Sequence, residues 1–169
     1  MKGNSIIRKM IESDTEHLSQ GFINQGWLGR EEILDRYFLE QECGEREVLV
    51  AEVEGALAGY ITILPCAKQG PFAEIYPELS DFNVFEPFQN QGIGNLLMEE
   101  AEKRVKLISD KVTLGVGLHS GYGPAQRLYI KRGYIPDGTG VWYQNHRPAM
   151  NAVCEDIGEL VLYLSKNLF

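Results

Sequence analysis

The residues most able to do chemistry are Gln89-Asn90-Gln91-Gly92-Ile93-Gly94-Asn95. An apolar, extended run through Val84 and Phe85 ends in a polar turn, and that turn opens directly into a helical pattern. Gly92 and Gly94 leave backbone N–H groups uncovered at the helix start, where donors lack intrahelical partners. The helix dipole adds partial positive charge at the same point, so the expected guest is a phosphate-bearing ligand. A nucleoside-triphosphate loop would continue Gly-Lys-Ser/Thr, but Asn95 follows Gly94. A dinucleotide fingerprint needs a third glycine where Leu97 stands. Neither pattern fits. The loop carries no lysine or arginine, so a diphosphate there must be held mainly by main-chain donors from Gln91 through Asn95.

The same six residues, Gln89 through Gly94, fit the pattern Gln/Arg-x-x-Gly-x-Gly/Ala at every fixed position. Residues 124–135 fit a second pattern, Ala-x-x-Leu-Tyr-x-x-x-Gly-Phe, through Ala125, Leu128, Tyr129 and Gly133. Pro124 suits a first helical position, and Gly133 suits the left-handed residue that stops a helix. One helix and one strand separate the two segments. In motif order, spacing and element pattern the chain resembles the GNAT superfamily of N-acetyltransferases, closely over residues 47–143 and in outline over the N-terminal third.

That resemblance implies acetyl-CoA as cosubstrate, no metal, and a pyrophosphate site at Gln89, Asn90, Gln91, Gly92, Ile93, Gly94 and Asn95. It implies a strand before the loop that splays from its neighbour to take the pantetheine arm. Val84 then stands where relatives place the residue whose N–H polarises the thioester carbonyl, an oxyanion-type contribution. Tyr129 matches the family's general-acid tyrosine. A phenol near pKa ~10 giving its proton to a thiolate near ~8.5 is uphill by about 2 kcal/mol, so a hydrogen-bonding or concerted role stands beside full proton donation. Relatives often carry asparagine where this chain has Tyr122, so one contact to the cofactor arm is missing or replaced.

Acetyl transfer needs a neutral amine, and an unperturbed lysine-like amine is only about one part in 2,500 neutral at pH 7, a cost near ~4.6 kcal/mol. A base acting directly or through water relieves this. Glu78 and Asp81 are the candidates. Three residues apart, they should face opposite sides of an unbroken strand. Asp81 matches an acidic position seen in some relatives, and His119 is a further, polar-loop candidate. Arg127 or Lys131 could meet the remaining phosphate of the cofactor. Lys103 and Arg104 could not, lying roughly 14 Å along the helix. The rival reading is a catalytically silent acyl-CoA-binding module that acts through a protein partner.

The elements needed to position these groups are readable in outline. The first strand is expected over residues 5–11, with Ile6, Ile7 and Ile11 apolar, followed by a short helix capped by Ser13 and Glu16 and ending near Gly21. Residues 31–42 form an amphipathic helix. Residues 48–53 and 56–64 read as a hairpin turning at Glu54-Gly55. After the phosphate loop, Leu97, Ala101, Val105 and Ile108 make one buried stripe, with Glu99/Lys103, Glu100/Arg104 and Glu102/Lys106 paired on the outer face. Strands then follow at 111–118, 140–143 and 160–165, with a helix at 124–132. The fold class is α/β (α+β): a mixed, mostly antiparallel central sheet flanked by helices.

At 169 residues and 44% hydrophobic content, the expectation is a single domain with a sizeable core. A net charge of −8 argues against nucleic acid and mildly favours a cationic acceptor, a small-molecule or peptide amine. No apolar run is long enough for a membrane span. Cys43, Cys66 and Cys154 lack metal-ligand spacing, which fits a reducing cytoplasm. The resemblance allows a homodimer. Acceptor choice is expected to lie with the N-terminal helices, residues 66–78 and residues 144–159, with Trp142 and Tyr143 as possible pocket walls.

Overall fold

The computed structural model describes residues 4–169. Its elements run β1 (Ser5–Lys9), α1 (Asp14–Asn24), α2 (Glu31–Glu42), β2 (Glu47–Val53), β3 (Ala56–Leu64), β4 (Glu78–Val84), α3 (Ile93–Lys106), β5 (Lys111–Gly117), α4 (Gly123–Lys131), β6 (Ile135–Tyr143) and β7 (Leu160–Asn167). Short 3-10 turns lie at Glu86–Phe88 and Ser120–Tyr122. The hydrogen-bonded strand order is β1-β2-β3-β4-β5-β7-β6. Most pairings are antiparallel, and β4 with β5 is parallel. The mixed, mostly antiparallel sheet read from the sequence is the observed one.

Two compact units divide the chain, one containing residues up to Leu64 with Ser80–Arg104, the other Pro65–Leu79 with Val105–Phe169. In the first, β2 and β3 meet at Glu54 and Gly55, both at positive φ (51° and 85°), as a tight two-residue hairpin requires. Met10, Leu18, Phe22, Leu34, Val48, Val50, Tyr60 and Phe85 form the core beneath α1 and α2. The Phe22 and Phe85 rings meet edge-to-face at 5.1 Å. Burying a ring such as Phe22 stabilises the fold by about 2–3 kcal/mol. Gly21 sits mid-helix because an added Cβ would stand 2.5 Å from the Phe85 ring.

Several local expectations are corrected. β1 stops at Lys9; Met10 enters the core and Ile11 is exposed, as is Ile6. The capping box does not form. Ser13 takes helical angles and makes no side-chain cap, while Asp14 accepts the Ile11 N–H and a bidentate bond from Arg8. α1 then runs past Gly21 to Asn24. Leu97, Ala101 and Val105 are buried along α3, but Ile108 lies beyond its end and is 61% exposed. Met98 takes a core place, and Glu102 is buried rather than on a solvated face. The Glu99–Lys103 and Glu100–Arg104 pairs do form, each at 2.9 Å.

In the second unit β5 pairs β7 from Lys111↔Asn167 to Gly117↔Val161. β6 begins at Ile135, earlier than the sequence pattern marks, and breaks register between Pro136 and Val141. Gly138 and Gly140 take positive φ there, and the Asp137 carboxylate accepts the Thr139 N–H. α4 ends as expected, with Gly133 at φ 91° and Tyr134 fully buried next to the Tyr129 ring.

Candidate active site

The parallel ladder between β4 and β5 covers Glu78↔Thr113 and Leu79↔Leu114. Past it, in the first unit, β4 runs beside β3. The Phe85 N–H donates to the Ala58 carbonyl at 2.9 Å. Main-chain groups alternate sides along an extended strand, so the Val84 N–H and C=O turn away from β3. The Val84 carbonyl accepts the Gln89 side-chain amide at 2.9 Å. What remains on that side is the Val84 N–H, the group placed at the thioester by the sequence reading.

The loop that follows is closed by its own side chains. Besides the Gln89 bond, the Gln91 amide donates to the Pro87 carbonyl at 2.8 Å. Asn90 and Gly92 take positive φ (59° and 89°), which turns the chain into α3. Asn accepts this conformation more readily than most residues, and glycine without penalty. The Leu96 N–H bonds the Gly92 carbonyl at 3.1 Å. The N–H groups of Ile93 and Gly94 precede it and have no carbonyl one turn back to reach. The strand-turn-helix reading therefore holds, with a refinement: Gln89 and Gln91 spend their side chains on shaping the loop. Lys103 and Arg104 are engaged with Glu99 and with Glu47 and Glu100. Arg127 and Lys131 are exposed on α4.

Asp81 is the centre of a partly buried polar cluster that sequence periodicity does not reveal. Its carboxylate accepts both terminal nitrogens of Arg30 (3.0 and 2.8 Å), the Tyr37 hydroxyl (2.9 Å), the Tyr60 hydroxyl (3.0 Å) and the Asn83 amide (2.9 Å). Burial pushes the Tyr37 phenol up to about 12, helped by the negative charge of Asp81. Burial and the same charge raise Tyr60 further. Asp81 itself has φ 44°, a left-handed residue inside a strand. β4 is thus not an unbroken strand, and strict alternation between Glu78 and Asp81 does not apply. The partners Arg30, Tyr37 and Tyr60 were missed. The available signal was an acid inside a strand, which needs compensating donors when covered.

Glu78 and Tyr129 belong to the second unit. Glu78 is half-buried at the start of β4. Its negative charge adds to burial in raising the Tyr163 phenol. Tyr129 is buried, and burial raises its hydroxyl above the ordinary phenol value. It stays protonated through neutral pH and can donate a hydrogen bond. His119 Nδ1 accepts the Gly121 N–H at 3.0 Å, capping the 3-10 turn. Tyr122, at the position where the resemblance expects asparagine, lies over Gly117, where an added Cβ would stand 2.5 Å from the ring. The two segments expected to govern acceptor choice are joined: the Gly70 N–H donates to the Asn145 side-chain carbonyl at 2.8 Å. Trp142 packs edge-to-face on Tyr163, and its indole N–H donates to Thr139 Oγ1 at 2.7 Å.

A separate cleft of about 640 Å³ opens in the first unit, lined by Arg8, His17, Leu57, Phe85 and Phe88 among others. Neither Asp81 nor the glycine loop lines it. Among the described residues no cluster of His, Cys, Asp and Glu could hold a metal ion, and no helix is long and apolar enough to cross a membrane.

Comparison with known proteins agrees with this geometry. Residues 14–134 match the model of the acetyltransferase (GNAT) family. No curated protein matches the sequence. Among solved structures, an N-acetyltransferase from Staphylococcus aureus Mu50 superposes with a TM-score of 0.71 at 15% identity, over 98% of this chain and 99% of that one. The yncA protein of Salmonella typhimurium, solved with its cofactor acetyl-CoA, gives 0.66 at 18% identity, over 98% and 94%. A ribosomal-protein-alanine N-acetyltransferase from Brucella melitensis gives 0.68 at 21% identity, over 96% and 99%. With a family model spanning most of its length, the chain belongs to the GNAT family of acetyltransferases.

Proposed function

We propose that this protein transfers the acetyl group of acetyl-CoA to a primary amine by direct attack in a ternary complex. The observation that carries the reading is the loop at residues 89–95, where Asn90 and Gly92 turn β4 into α3 and leave Ile93 and Gly94 N–H groups at the helix tip. A diphosphate there meets main-chain donors and the helix dipole together. The Val84 N–H receives the thioester oxygen as negative charge develops on it. The amine nitrogen bonds to the carbonyl carbon, the C–S bond breaks, and one proton leaves nitrogen. The departing sulfur takes a hydrogen bond or a proton from Tyr129. Because burial strengthens the hold of Tyr129 on its proton, hydrogen bonding is the larger share of that role.

The proton from nitrogen needs a base, and the two candidates are Glu78 and Asp81, acting directly or through water. Asp81 already accepts five hydrogen bonds, so proton transfer to it would have to displace one of those donors. The net charge of −8 supports a cationic acceptor, a small-molecule or peptide amine. The three free cysteines support a reducing, cytoplasmic setting.

The test is acetyl-CoA-dependent thiol release across a panel of polyamines, aminoglycosides and peptide amines, beside calorimetry with CoA. Release with at least one amine is expected. Tight CoA binding with no release from any amine would instead favour the second reading, a silent acyl-CoA-binding module. The observation on that side is the filled carboxylate of Asp81.

A further inference from the structure

The cluster around Asp81 has a shape that burial alone does not demand. Arg30 lies at the N-terminus of α2, and its guanidinium stands 5.2 Å from the centroid of the Phe22 ring. From there it grips both carboxylate oxygens of Asp81, and Nη1 also donates to the Tyr60 hydroxyl at 2.6 Å. The residue it grips is the one with left-handed backbone in β4. Such a conformation costs a non-glycine residue about 1–2 kcal/mol and persists only where the surroundings hold it. The residue before it is pinned as well: Thr62 Oγ1 donates to the Ser80 carbonyl at 2.9 Å and accepts from Arg46 at 2.7 Å. Asn83, two residues on, ties its amide to both Asp81 and Tyr60.

An irregular residue in a strand decides the parity of everything after it. Insert or remove one such residue, and each following N–H moves to the other edge of the strand. Val84 is three residues past Asp81, and its N–H points away from β3 in this arrangement.

We propose that Arg30 is a positioning residue: by clamping Asp81 in its left-handed turn it sets the edge of β4 from which the Val84 N–H meets the thioester. The inference rests on the acetyl-transfer reading for its consequence in rate, but the clamp itself is measurable without turnover. Arg30 touches neither cofactor nor acceptor in this role. It acts through the strand.

The experiment compares wild type with Arg30→Ala and Arg30→Lys, reading thiol release, calorimetric CoA affinity and amide hydrogen exchange over residues 82–84. Arg30→Ala is expected to lower kcat about 100-fold, the range for loss of an oxyanion donor, while CoA affinity changes less than about threefold. Exchange at residues 82–84 should rise with it. Added methylguanidinium should restore part of the rate of Arg30→Ala in a saturable way. Arg30→Lys should recover little, because a point charge does not bond both oxygens in a plane. Wild-type rate and wild-type exchange in Arg30→Ala would overturn the proposal. So would a lowered rate that methylguanidinium leaves untouched while residues 82–84 exchange as in wild type. Should Arg30→Ala fail to fold, Arg30→Lys decides: lowered kcat with CoA affinity kept supports the clamp, and unchanged kcat removes it. If no amine in the panel elicits thiol release from wild type, the acetyl-transfer reading has failed, and exchange at residues 82–84 still judges the clamp.

Discussion

Gly59 on β3 lies so close to β4 that an added Cβ would stand 2.9 Å from the Val84 Cα and inside contact distance of the Asn83 carbonyl oxygen. Backbone cannot yield as a flexible side chain does. Gly59→Ala should therefore cost about 2 kcal/mol, or roughly 4–8 °C in Tm for a chain of this size. Because the displaced segment carries the Val84 N–H, kcat should fall as well. Thermal unfolding and thiol release measured on the same sample check both. An unchanged Tm would mean that β3 and β4 do not approach this closely.

Gly92 offers the converse case. Its φ of 89° suits only glycine well, yet nothing lies within 4 Å of an added Cβ. Gly92→Ala should leave the fold nearly intact and disturb the loop. We expect CoA affinity to drop about tenfold, equivalent to ~1.4 kcal/mol, with Tm lowered by a few degrees at most. Calorimetry with CoA decides. Undiminished affinity would place the diphosphate elsewhere.

Tyr129→Phe removes the proposed hydrogen bond to sulfur and keeps the ring that packs near Tyr134. kcat should fall about tenfold or more with CoA affinity unchanged, the pattern of an interaction made only in the transition state. A loss confined to KM would make Tyr129 a binding residue instead.

Glu78→Gln separates the two acids. If Glu78 takes the amine proton, the variant loses rate about 100-fold at neutral pH and recovers as rising pH supplies the amine already neutral. Asp81→Asn should behave differently. It leaves the half-buried Arg30 without its counter-charge, so Tm falls along with rate at every pH. Matching pH–rate profiles for the two variants would refute this division.

Alkaline pH should unfold the protein through its buried phenols. Tyr37 is pushed up to about 12 by burial, while an unfolded tyrosine titrates near ~10. Between those values the folded chain keeps a proton that the unfolded chain has lost, so stability falls as pH rises. Tyr60 and Tyr129 are raised in the same direction by burial and add to the slope. The tyrosinate absorbance of these three buried rings should then appear together with loss of helical circular dichroism. Full tyrosinate absorbance from all eight tyrosines near pH ~10 in an intact fold would contradict the burial of these rings.

How much of this was legible in the sequence depends on the range over which each interaction acts. The strand-to-helix turn at residues 89–92, the Glu54-Gly55 hairpin and the Gly133 helix stop are local, since each is set by which residues tolerate positive φ. All three appear where the sequence placed them. The α3 stripe was right for Leu97, Ala101 and Val105 and wrong for Ile108, because periodicity cannot say where the helix ends. Ser13 looked like a cap, but Asp14 has a stronger partner in Arg8 and reorganises the turn. Least legible was the Asp81 cluster. Arg30, Tyr37 and Tyr60 stand 51, 44 and 21 residues away in the chain, and no short window contains them.

The tie between Gly70 and Asn145 bears on anyone wishing to redirect this protein toward a new acceptor. Gly70 is wedged against the Tyr163 ring at positive φ, so the first stretch has little freedom to adapt. Grafting either stretch alone from another protein would remove this tie and leave the remaining partner to solvent. Transplanting the two as one cassette would keep the loops in register with each other.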